Sequence, residues 1–412
     1  MAGLTVVQLD AAQWKQASQA IAIAFLEAGP DDDNTRDHLR PIDRRFALKQ
    51  GDQIVGGCVC YEFDLTLPGG TTAPAAGLAA VGILPTVQGG GGLRLLIDAH
   101  LRNSHSKGDA VSVLMASESG LYSRFGYAAA TEMAEYRLDT RAFALKSALD
   151  DLGTIRLVND MDEARVLCAG IHAMQQQAGE LQRSSDWWEQ VIHAGKRSWL
   201  GGGPQFVAVH YDASGDADSY ALYVVESLDD INDGNIRARL VLRELVALNT
   251  TAEQAMFQYL CKVAWVRELR WILAPVDPLI KYKMKDPRQL AQVSRYDMLW
   301  MRVLDMPRLL SQRVYHSDAV LDFEYHDDVI PENSGCYRLV AVAGGGSKVE
   351  RIAHAERPSL KFGPSQLAAI LLGGTRVIHL HHLGEIQGSE RDIRCLDQLL
   401  LTDLVPFNLS RF

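Results

Sequence analysis

The residues best suited to bind a ligand are four consecutive glycines, Gly89, Gly90, Gly91 and Gly92, which follow Gln88 between a predicted strand and a predicted helix. Glycine lets the backbone approach a ligand closely, and the N–H groups at a helix N-terminus carry a partial positive charge. A pyrophosphate group suits such a position. The run alone leaves the choice open, because four glycines are equally consistent with a flexible loop.

Longer motifs on both sides of the loop favour phosphate binding. Residues 76–86 (AGLAAVGILPT) precede it and residues 116–127 (ASESGLYSRFGY) follow it. With these motifs the chain resembles the Eis (enhanced intracellular survival) family of acetyltransferases, which are GNAT (GCN5-related N-acetyltransferase) enzymes. That family has a valine-rich strand ending in Ala-Pro-Thr, a pyrophosphate loop, and later Ala-Ser-Glu and Tyr-Gly-Arg-Phe-Gly-Tyr. The resemblance implies an N-acyltransferase that uses acetyl-CoA or another acyl-CoA as donor.

The resemblance also implies which residues bind the donor. Ala80, Val81 and Ile83 lie in the strand that holds the pantetheine arm and offers a backbone N–H to the thioester oxygen. Such a donor stabilises negative charge that develops only in the transition state. The loop residues 88–92 and Arg94, which matches a family arginine, are expected to hold the pyrophosphate.

The loop departs from the family at its start. Family members usually carry an arginine pair where this chain has Gln88 and Gly89. A charge-assisted hydrogen bond contributes about 1.5–3 kcal/mol. The loss of two such contacts predicts CoA binding weaker by about 10²- to 10⁴-fold, or a donor other than acetyl-CoA.

Two residues are expected to move protons. Tyr122 matches the family's general acid, and a phenol with a pKa near 10 differs from a thiol near 8.5 by only about 1.5 units. Phe412 ends the chain, and in the family the carboxylate of a terminal phenylalanine reaches into the N-terminal active site. Without the resemblance, Tyr122 would be interpreted as a packed tyrosine, and a tail that merely packs would explain Phe412 equally well.

Three residues are expected on the acceptor side. Glu27 matches a family acid, whereas Arg36 replaces a pocket tryptophan and Arg411 replaces an acid before the terminal phenylalanine. A polycationic aminoglycoside would meet two new positive charges, so that activity is not carried over. The expected acceptor is an amine of another small molecule, in natural-product tailoring or self-protection. The acidic run Asp31–Asp33 is interpreted as a solvated turn.

The elements that must position these residues occur twice along the chain. After a predicted helix over 11–27, the first copy contains the glycine loop. The second copy has a predicted strand over 244–248, a helix over 252–266 and a strand over 271–274. Its helix is expected to start with a capping box of Thr250 and Glu253. Because side chains accept hydrogen bonds from the N–H groups at this helix start, no phosphate is expected to bind there.

The resemblance covers essentially the whole chain and implies its domain organisation. The central block contains residues 220–223 (YALY) and 243–245 (REL), and the third block begins with residues 297–302 (DMLWMR), as in the family. The implied α/β (α+β) fold has two fused GNAT-like domains, over 1–150 and 151–296. A C-terminal α+β domain like a sterol carrier protein is expected over 297–412. Family members form hexamers, so a homo-oligomer is expected.

Composition narrows the class of protein. A chain of 412 residues predicts two or three domains, and a net charge of −10 argues against nucleic acid as a partner. No apolar run reaches the roughly 18 residues that span a bilayer. Residues 1–5 (MAGLT) lack the features of a signal peptide. These features predict a soluble, cytoplasmic protein without a membrane partner.

Histidines and cysteines do not form a predicted metal site. His379, His381 and His382 are clustered, with the first and second alternating on a predicted strand, but no cysteine or carboxylate accompanies them. The six cysteines are scattered, without paired CxxC motifs, and are interpreted as reduced core thiols. No metal is therefore expected.

Two further hypotheses remain open beside acyl-CoA-dependent N-acylation. One is a different donor on the same scaffold, either another acyl-CoA or an acyl or aminoacyl carrier, which the missing loop arginines favour. A catalytically silent ligand-binding protein is the other alternative. Retention of Tyr122 and Phe412 favours catalysis.

Overall fold

The computed structural model of the protein describes residues 3–27, 37–147, 153–193, 203–228, 237–353 and 358–412. Of the predicted positions, Arg36 and the acidic run Asp31–Asp33 lie outside these ranges.

The described residues form three sheets and the helices that pack on them. The strands are β1 (Leu4–Gln8), β2 (Phe46–Gln50), β3 (Gln53–Thr66), β4 (Thr72–Ile83), β5 (Val111–Leu114), β6 (Ala128–Ala129), β7 (Glu132–Asp139), β8 (Thr154–Leu157), β9 (Leu181–Gln182), β10 (Gln205–Tyr211), β11 (Ala217–Ser227), β12 (Ala238–Ala247), β13 (Val266–Ala274), β14 (Ala291–Asp297), β15 (Trp300–Val303), β16 (Ala319–Tyr325), β17 (Gly335–Ala341), β18 (Lys348–Arg351) and β19 (Leu360–Phe362). The helices are α1 (Ala11–Ala24), α2 (Gly92–Ser106), α3 (Met161–Met174), α4 (Ser185–Ile192), α5 (Thr250–Lys262), α6 (Ile280–Lys283), α7 (Met306–Gln312), α8 (Pro364–Ile370), α9 (Val377–His382) and α10 (Glu390–Leu399).

The first sheet has the strand order β1-β2-β3-β4-β5-β15-β6, with β9 paired to β3. Strands β4 and β5 run parallel, and α2 connects them as a crossover. Helix α1 packs against β3 and β4, where Gly82 permits close approach: a Cβ there would lie 3.0 Å from the Cα of Ile21. Helices thus cover both faces of this sheet.

The second sheet repeats this arrangement, with the order β14-β7-β13-β12-β11-β10-β8. Strands β12 and β13 are parallel and connected by α5, as β4 and β5 are by α2. The third, smaller sheet has the order β18-β17-β16-β19 and packs with helices α7 to α10.

Sheet membership does not follow chain order at two places. Strand β7 follows the first sheet in the chain but belongs to the second, whereas β15, which precedes the third sheet, lies between β5 and β6 of the first. A single apolar core also joins the first sheet to the third, from Phe63 of β3 to Phe323 of β16. The boundaries expected at residues 150 and 296 stay predictions.

Several local predictions were wrong. Helix α1 ends at Ala24, so Glu27 lies in the turn beyond it. Helix α5 begins at Thr250 and is capped by Asn249, whose Oδ1 accepts a hydrogen bond from the Ala252 N–H at 2.8 Å. The expected capping box of Thr250 and Glu253 was therefore placed one residue too late.

Candidate active site

The site is built where β4 and β5 separate. Their parallel pairing covers only Ala75–Gly77 opposite Val111–Val113. Beyond Gly77, β4 continues to Ile83, while β5 pairs on its other edge with β15. The backbone of β4 from Leu78 onward therefore has no β5 partner, which leaves a gap between two neighbouring strands of one sheet.

A β-bulge lies in this unpaired part of β4. Gly57 of β3 faces Gly82 and Val59 faces Ala79, so Ala80 and Val81 together oppose the single residue Cys58. Ala80 has φ of 50°, a conformation that costs a non-glycine residue about 1–2 kcal/mol. Such strain persists where the surroundings impose it, and it is concentrated at functional sites.

The extra residue reverses the side-chain alternation of β4. Gly77 faces Phe63 on one side of the sheet, and Gly82, five positions later, faces Ile21 of α1 on the same side. Val81 instead packs with the core that contains α2. The bulge thereby re-aims the backbone polar groups at the gap between β4 and β5.

The glycine loop forms the start of α2, as expected. Gly89 and Gly91 have φ of 79° and 84°, and a Cβ on either would meet nothing within 4 Å. The helix has no side-chain cap and no acidic residue in its first turn, so its first N–H groups are open to an anion. Gly92 differs, since a Cβ there would lie 2.5 Å from Leu48 Cδ2; it lets α2 pack on β2.

Gln88, which stands where the family has an arginine, does not take over that arginine's contact with phosphate. Its Nε2 donates to the Ile83 carbonyl oxygen at 3.1 Å, which turns the side chain back toward β4. Two exposed arginines lie nearby instead. The guanidinium carbons of Arg94 and Arg124 both stack on the Phe125 ring, at 5.6 and 5.4 Å from its centre. Arg124 was not predicted as a site residue, although it belongs to the motif around Tyr122.

Tyr122 lies between two short 3₁₀ turns, Ser119–Leu121 and Ser123–Phe125, in the segment that follows β5. It is 7% exposed and packs with Leu114, Leu78 and Cys58 in one core. Burial raises the pKa of Tyr122 to about 12, helped by the nearby Cys58 thiol and Glu118 carboxylate. Among the described residues its hydroxyl has no hydrogen-bond partner, which leaves it available to a ligand.

The turn after Tyr122 is held by an arginine that is distant in the sequence. Arg302 of β15 is fully buried and donates from Nε to the Phe125 carbonyl oxygen at 2.9 Å. Its Nη2 donates to Asp327 Oδ1 at 2.6 Å, in the third part of the chain. The sequence showed Arg302 only as part of a family motif, because this contact joins residues 177 positions apart.

Phe412 lies on the opposite face of the sheet from Tyr122, beside the same gap. Its ring centre is 5.0 Å from that of Phe63 and 5.8 Å from that of Tyr61. A Cβ on Gly77 would be 3.1 Å from Phe412 Cε2, so the ring covers the last residue of β4 that pairs with β5. The chain end therefore packs against the N-terminal sheet.

Trp187 of α4 completes an aromatic cluster that sequence analysis missed. It meets Tyr61 and Phe63 edge-on, with ring centres 5.3 Å apart in both pairs. Arg40 donates from Nε to the Tyr61 hydroxyl at 2.6 Å. These residues come from three distant parts of the chain, so no local pattern relates them.

Of the predicted acceptor-side residues, the structure describes Glu27 and Arg411. Glu27 is exposed just beyond α1, on the sheet face that also carries Phe412. Arg411 is partly buried, and desolvation lowers its pKa although the nearby Tyr296 hydroxyl of β14 opposes this. Arg411 thus lies near Tyr296 of the second sheet.

The clustered histidines do not lie on a strand. His379, His381 and His382 belong to helix α9, so the predicted alternation was wrong. The described residues contain no group of three or more His, Cys, Asp or Glu side chains arranged to hold a metal ion. Within the same residues, no helix is both long and apolar enough to cross a membrane.

Sequence profiles of known domains match three parts of the chain. An acetyltransferase (GNAT) domain profile matches residues 5–130, a second matches residues 179–303, and a sterol carrier protein domain profile matches residues 306–408. The predicted fold of two GNAT-like domains and a sterol-carrier-protein-like domain is confirmed.

Proteins named N-acetyltransferases are similar to this chain over most of its length. An uncharacterized N-acetyltransferase of Streptomyces griseus subsp. griseus is 30% identical over 404 residues, 93% of each chain. The N-acetyltransferase Eis of Mycobacterium bovis (strain BCG) is 29% identical over 296 residues, 70% of each chain. The crystal structure of Eis1 from Mycobacterium abscessus has a TM-score of 0.84 at 26% identity, covering 99% of this chain and 100% of that one.

Proposed function

Because the chain belongs to the Eis-like family of GNAT N-acetyltransferases, we propose that it transfers the acyl group of an acyl-CoA, acetyl-CoA first among them, to an amine of a small molecule. The observation that carries this proposal is the strained bulge at Ala80, in the gap between β4 and β5 with Tyr122 at its edge. A ligand in that gap meets unpaired backbone groups on one side and a phenol on the other.

The donor is proposed to lie along β4. Its pyrophosphate sits at the start of α2 against the N–H groups of Gly89 to Gly92, with Arg94 and Arg124 supplying positive charge. Its pantetheine arm then follows Ala80, Val81 and Ile83 along the edge of β4 that β5 does not cover, where it takes the place of a neighbouring strand. A backbone N–H at the bulge stabilises the thioester oxygen as it becomes negative.

The chemical step forms one bond and breaks another. The amine nitrogen attacks the thioester carbonyl carbon, the C–S bond breaks, and the amide and free CoA thiol are the products. The sulfur takes up a proton as it leaves, and the nitrogen loses one. Tyr122 is the proposed donor to sulfur, and the terminal carboxylate of Phe412 orients the amine and accepts its proton through water.

The raised pKa of Tyr122 changes how it acts. The predicted mismatch with a thiol near 8.5 was about 1.5 units, but a pKa of about 12 widens it to about 3.5 units. Complete transfer to a solvated thiolate would cost about 5 kcal/mol at 1.36 kcal/mol per unit. Tyr122 therefore acts as a hydrogen-bond donor to sulfur, with transfer completed once the desolvated thiolate becomes a stronger base.

The acceptor side supports an amine on an apolar body rather than a polycation. Tyr61, Phe63 and Trp187 offer aromatic surface beside Phe412, and Arg40 contributes a positive charge next to them. Glu27 remains the proposed acidic contact for the amine, with Arg36 and Arg411 excluding polycations. A role in natural-product tailoring or self-protection fits such an acceptor.

A carrier-bound acyl group is the second candidate donor. The observation favouring it is that the loop has Gln88 in place of a family arginine. The Gln88 side chain bonds to the Ile83 carbonyl oxygen and brings no positive charge to the loop. A carrier's phosphopantetheine arm would use β4 and the gap in the same way, while its protein surface would replace the nucleotide contacts.

The proposal is tested by incubating the protein with acetyl-CoA and a panel of small-molecule amines while thiol release is followed. The expected result is amine-dependent thiol release together with a product heavier by one acetyl group in mass spectrometry. Release only with an acyl-carrier donor would support the second candidate. No acyl transfer from any donor, with a folded protein, would instead support a silent ligand-binding protein.

The remaining proposals concern the protein's surroundings. Resemblance to the family supports a homo-oligomer, a hexamer, that acts in the cytoplasm without a metal, nucleic acid or membrane partner. Light scattering of the purified protein tests the assembly, and a monomer would contradict it.

A further inference from the structure

The last residues of the chain follow a fixed path along the second domain. The Phe407 N–H donates to the Ala178 carbonyl oxygen at 2.9 Å, and Gln177 Nε2 donates to the Val405 carbonyl oxygen at 2.7 Å. The Leu181 N–H donates to Asn408 Oδ1 at 3.3 Å. Chain ends are normally exposed and frayed, whereas residues 406–410 are all buried here.

A buried carboxylate holds this tail. Glu180 is fully buried; its Oε2 accepts from the Leu409 N–H at 2.6 Å, and its Oε1 accepts from Ser410 Oγ at 2.8 Å. His172 Nε2 donates to the same Oε1 at 3.2 Å. Burial alone would raise the pKa of Glu180, but the hydrogen bond and charge of His172, the charge of Arg183 and the Leu409 N–H outweigh it, so the pKa is lowered.

A buried cation contacts the same serine from the other side. Arg183 Nε donates to Ser410 Oγ at 2.8 Å, while its two terminal nitrogens donate to the Glu244 carboxylate, both at 2.9 Å. The Tyr220 hydroxyl donates to Glu244 Oε2 at 3.1 Å, and the Arg183 guanidinium stacks on Trp188 at 4.8 Å. Tyr220 and Glu244 belong to the two central-block motifs for which sequence analysis offered no role.

Burying the ionised side chains of Glu180, Arg183 and Glu244 costs free energy, and their burial holds the chain end in place. Burying ionised groups carries a desolvation penalty of several kcal/mol per ion, offset only when every group is well paired. Here the paired ions meet at Ser410, two residues before Phe412. Two residues span at most about 7 Å, so holding Ser410 confines the terminal carboxylate to a small volume beside the gap between β4 and β5.

We propose that Glu180 and Arg183, themselves held by His172, Glu244 and Tyr220, form a clamp on Ser410 that positions Phe412 against the N-terminal sheet. These are positioning residues, because none of them touches the gap itself. The effect of the clamp on turnover rests on the proposed function, whereas its effect on the chain end does not.

The chain end can be probed directly in the full-length protein. A carboxypeptidase that removes terminal aromatic residues should release phenylalanine slowly from the wild type. In Ser410→Ala, which loses the hydroxyl between Glu180 and Arg183, release should be faster by about 10- to 10²-fold, as the loss of charge-assisted bonds predicts. Glu180→Gln should act in the same direction, since an amide cannot accept from all three donors.

The matched control is Thr140→Val, which also removes one buried hydroxyl, just after β7 of the second sheet. Thr140 Oγ1 donates to the Val266 carbonyl oxygen at 2.9 Å, away from the tail. This variant should lose some stability but release phenylalanine at the wild-type rate. Circular dichroism on all variants identifies any that do not fold. If Glu180→Gln is one of them, the test rests on Ser410→Ala.

Turnover separates the clamp from the proposed function. We expect Ser410→Ala to lower kcat for the amine by about 10- to 10²-fold, as small misplacements do, with the Kd for CoA unchanged. Wild-type phenylalanine release from folded Ser410→Ala would overturn the clamp. Faster release with wild-type kcat would support the clamp and overturn the catalytic role of the carboxylate.

Discussion

Tyr122 is the residue on which the proposed chemistry most depends, and Tyr122→Phe removes only its hydroxyl. We expect kcat to fall by about 10²- to 10⁴-fold, as removal of a general acid does. The Kd for CoA, measured by calorimetry, should not change, because the donor is held by β4 and the start of α2. An unchanged turnover number would reject Tyr122 as the acid.

Tyr127 provides the matched control for this substitution. Its hydroxyl is fully buried and bonds to Ser112 Oγ at 2.6 Å, which in turn bonds to His100 Nε2 at 2.7 Å. Tyr127→Phe should therefore destabilise the fold by about 1–3 kcal/mol, since it leaves a polar group unpaired, without a comparable loss in kcat.

The raised pKa of Tyr122 predicts a pH profile. A phenol in solution loses its proton near pH 10, but a pKa of about 12 keeps Tyr122 protonated well above that value. The kcat of the wild type should show no decrease centred near pH 10. A decrease there that is absent from the residual activity of Tyr122→Phe would contradict the burial of this side chain.

At the residue scale, the sequence motif pointed to Tyr122 as a candidate acid, a role that stays a prediction, but it did not show that the pKa of Tyr122 is raised. The motif around it is specific, whereas burial comes from Cys58 and Leu78 on other strands. For the same reason Trp187 and Arg302 were missed as parts of the site, because their contacts join distant segments.

At the scale of elements, the glycine loop and α2 predict how strongly CoA binds. Gln88→Arg should tighten CoA binding by about 10-fold, because one charge-assisted contact with phosphate is added. The gain should shrink as salt is raised, since ions screen exposed charges. Gln88→Leu is the control, because it also breaks the bond to Ile83 but adds no charge.

Calorimetry at two salt concentrations measures this effect. No gain in affinity with Gln88→Arg would mean that the donor does not place its pyrophosphate at the loop. Gly89 was an expected second position for arginine, but its φ of 79° would strain any side chain there, so the single substitution is the cleaner test.

Elements with strong local signals were predicted well, and those set by distant pairing were not. Helix α2 after the glycine loop and helix α5, predicted over 252–266, follow directly from periodicity and turn residues. The bulge at Ala80 left no sequence signal, because residues 76–84 are small or apolar throughout. The helical turn α9 was mistaken for a strand, since a run this short fits either period.

At the scale of the whole molecule, the C-terminal tail packs against the N-terminal sheet. The N-terminal sheet contains the gap and Tyr122. The second domain contains Trp187 and Glu180, which accepts a hydrogen bond from Ser410 of the tail. The third domain contains the tail itself and Asp327, which binds Arg302 of β15. This arrangement was implied by resemblance to the family, since no composition or periodicity shows where a tail will pack.

The proposed meeting of the C-terminal tail and the N-terminal sheet in one active site is tested most directly by lengthening the chain. One or two residues added after Phe412 move the carboxylate by about 3.3–3.6 Å each, and a displacement of even about 1 Å can lower a rate by about 10²-fold. The extended protein should fold, bind CoA normally and lose most of its kcat. Phe412→Leu, which keeps a terminal carboxylate on an apolar side chain, should lose much less, although its ring contacts with Phe63 and Tyr61 are gone. Wild-type kcat in the extended protein would contradict a catalytic role for the chain end.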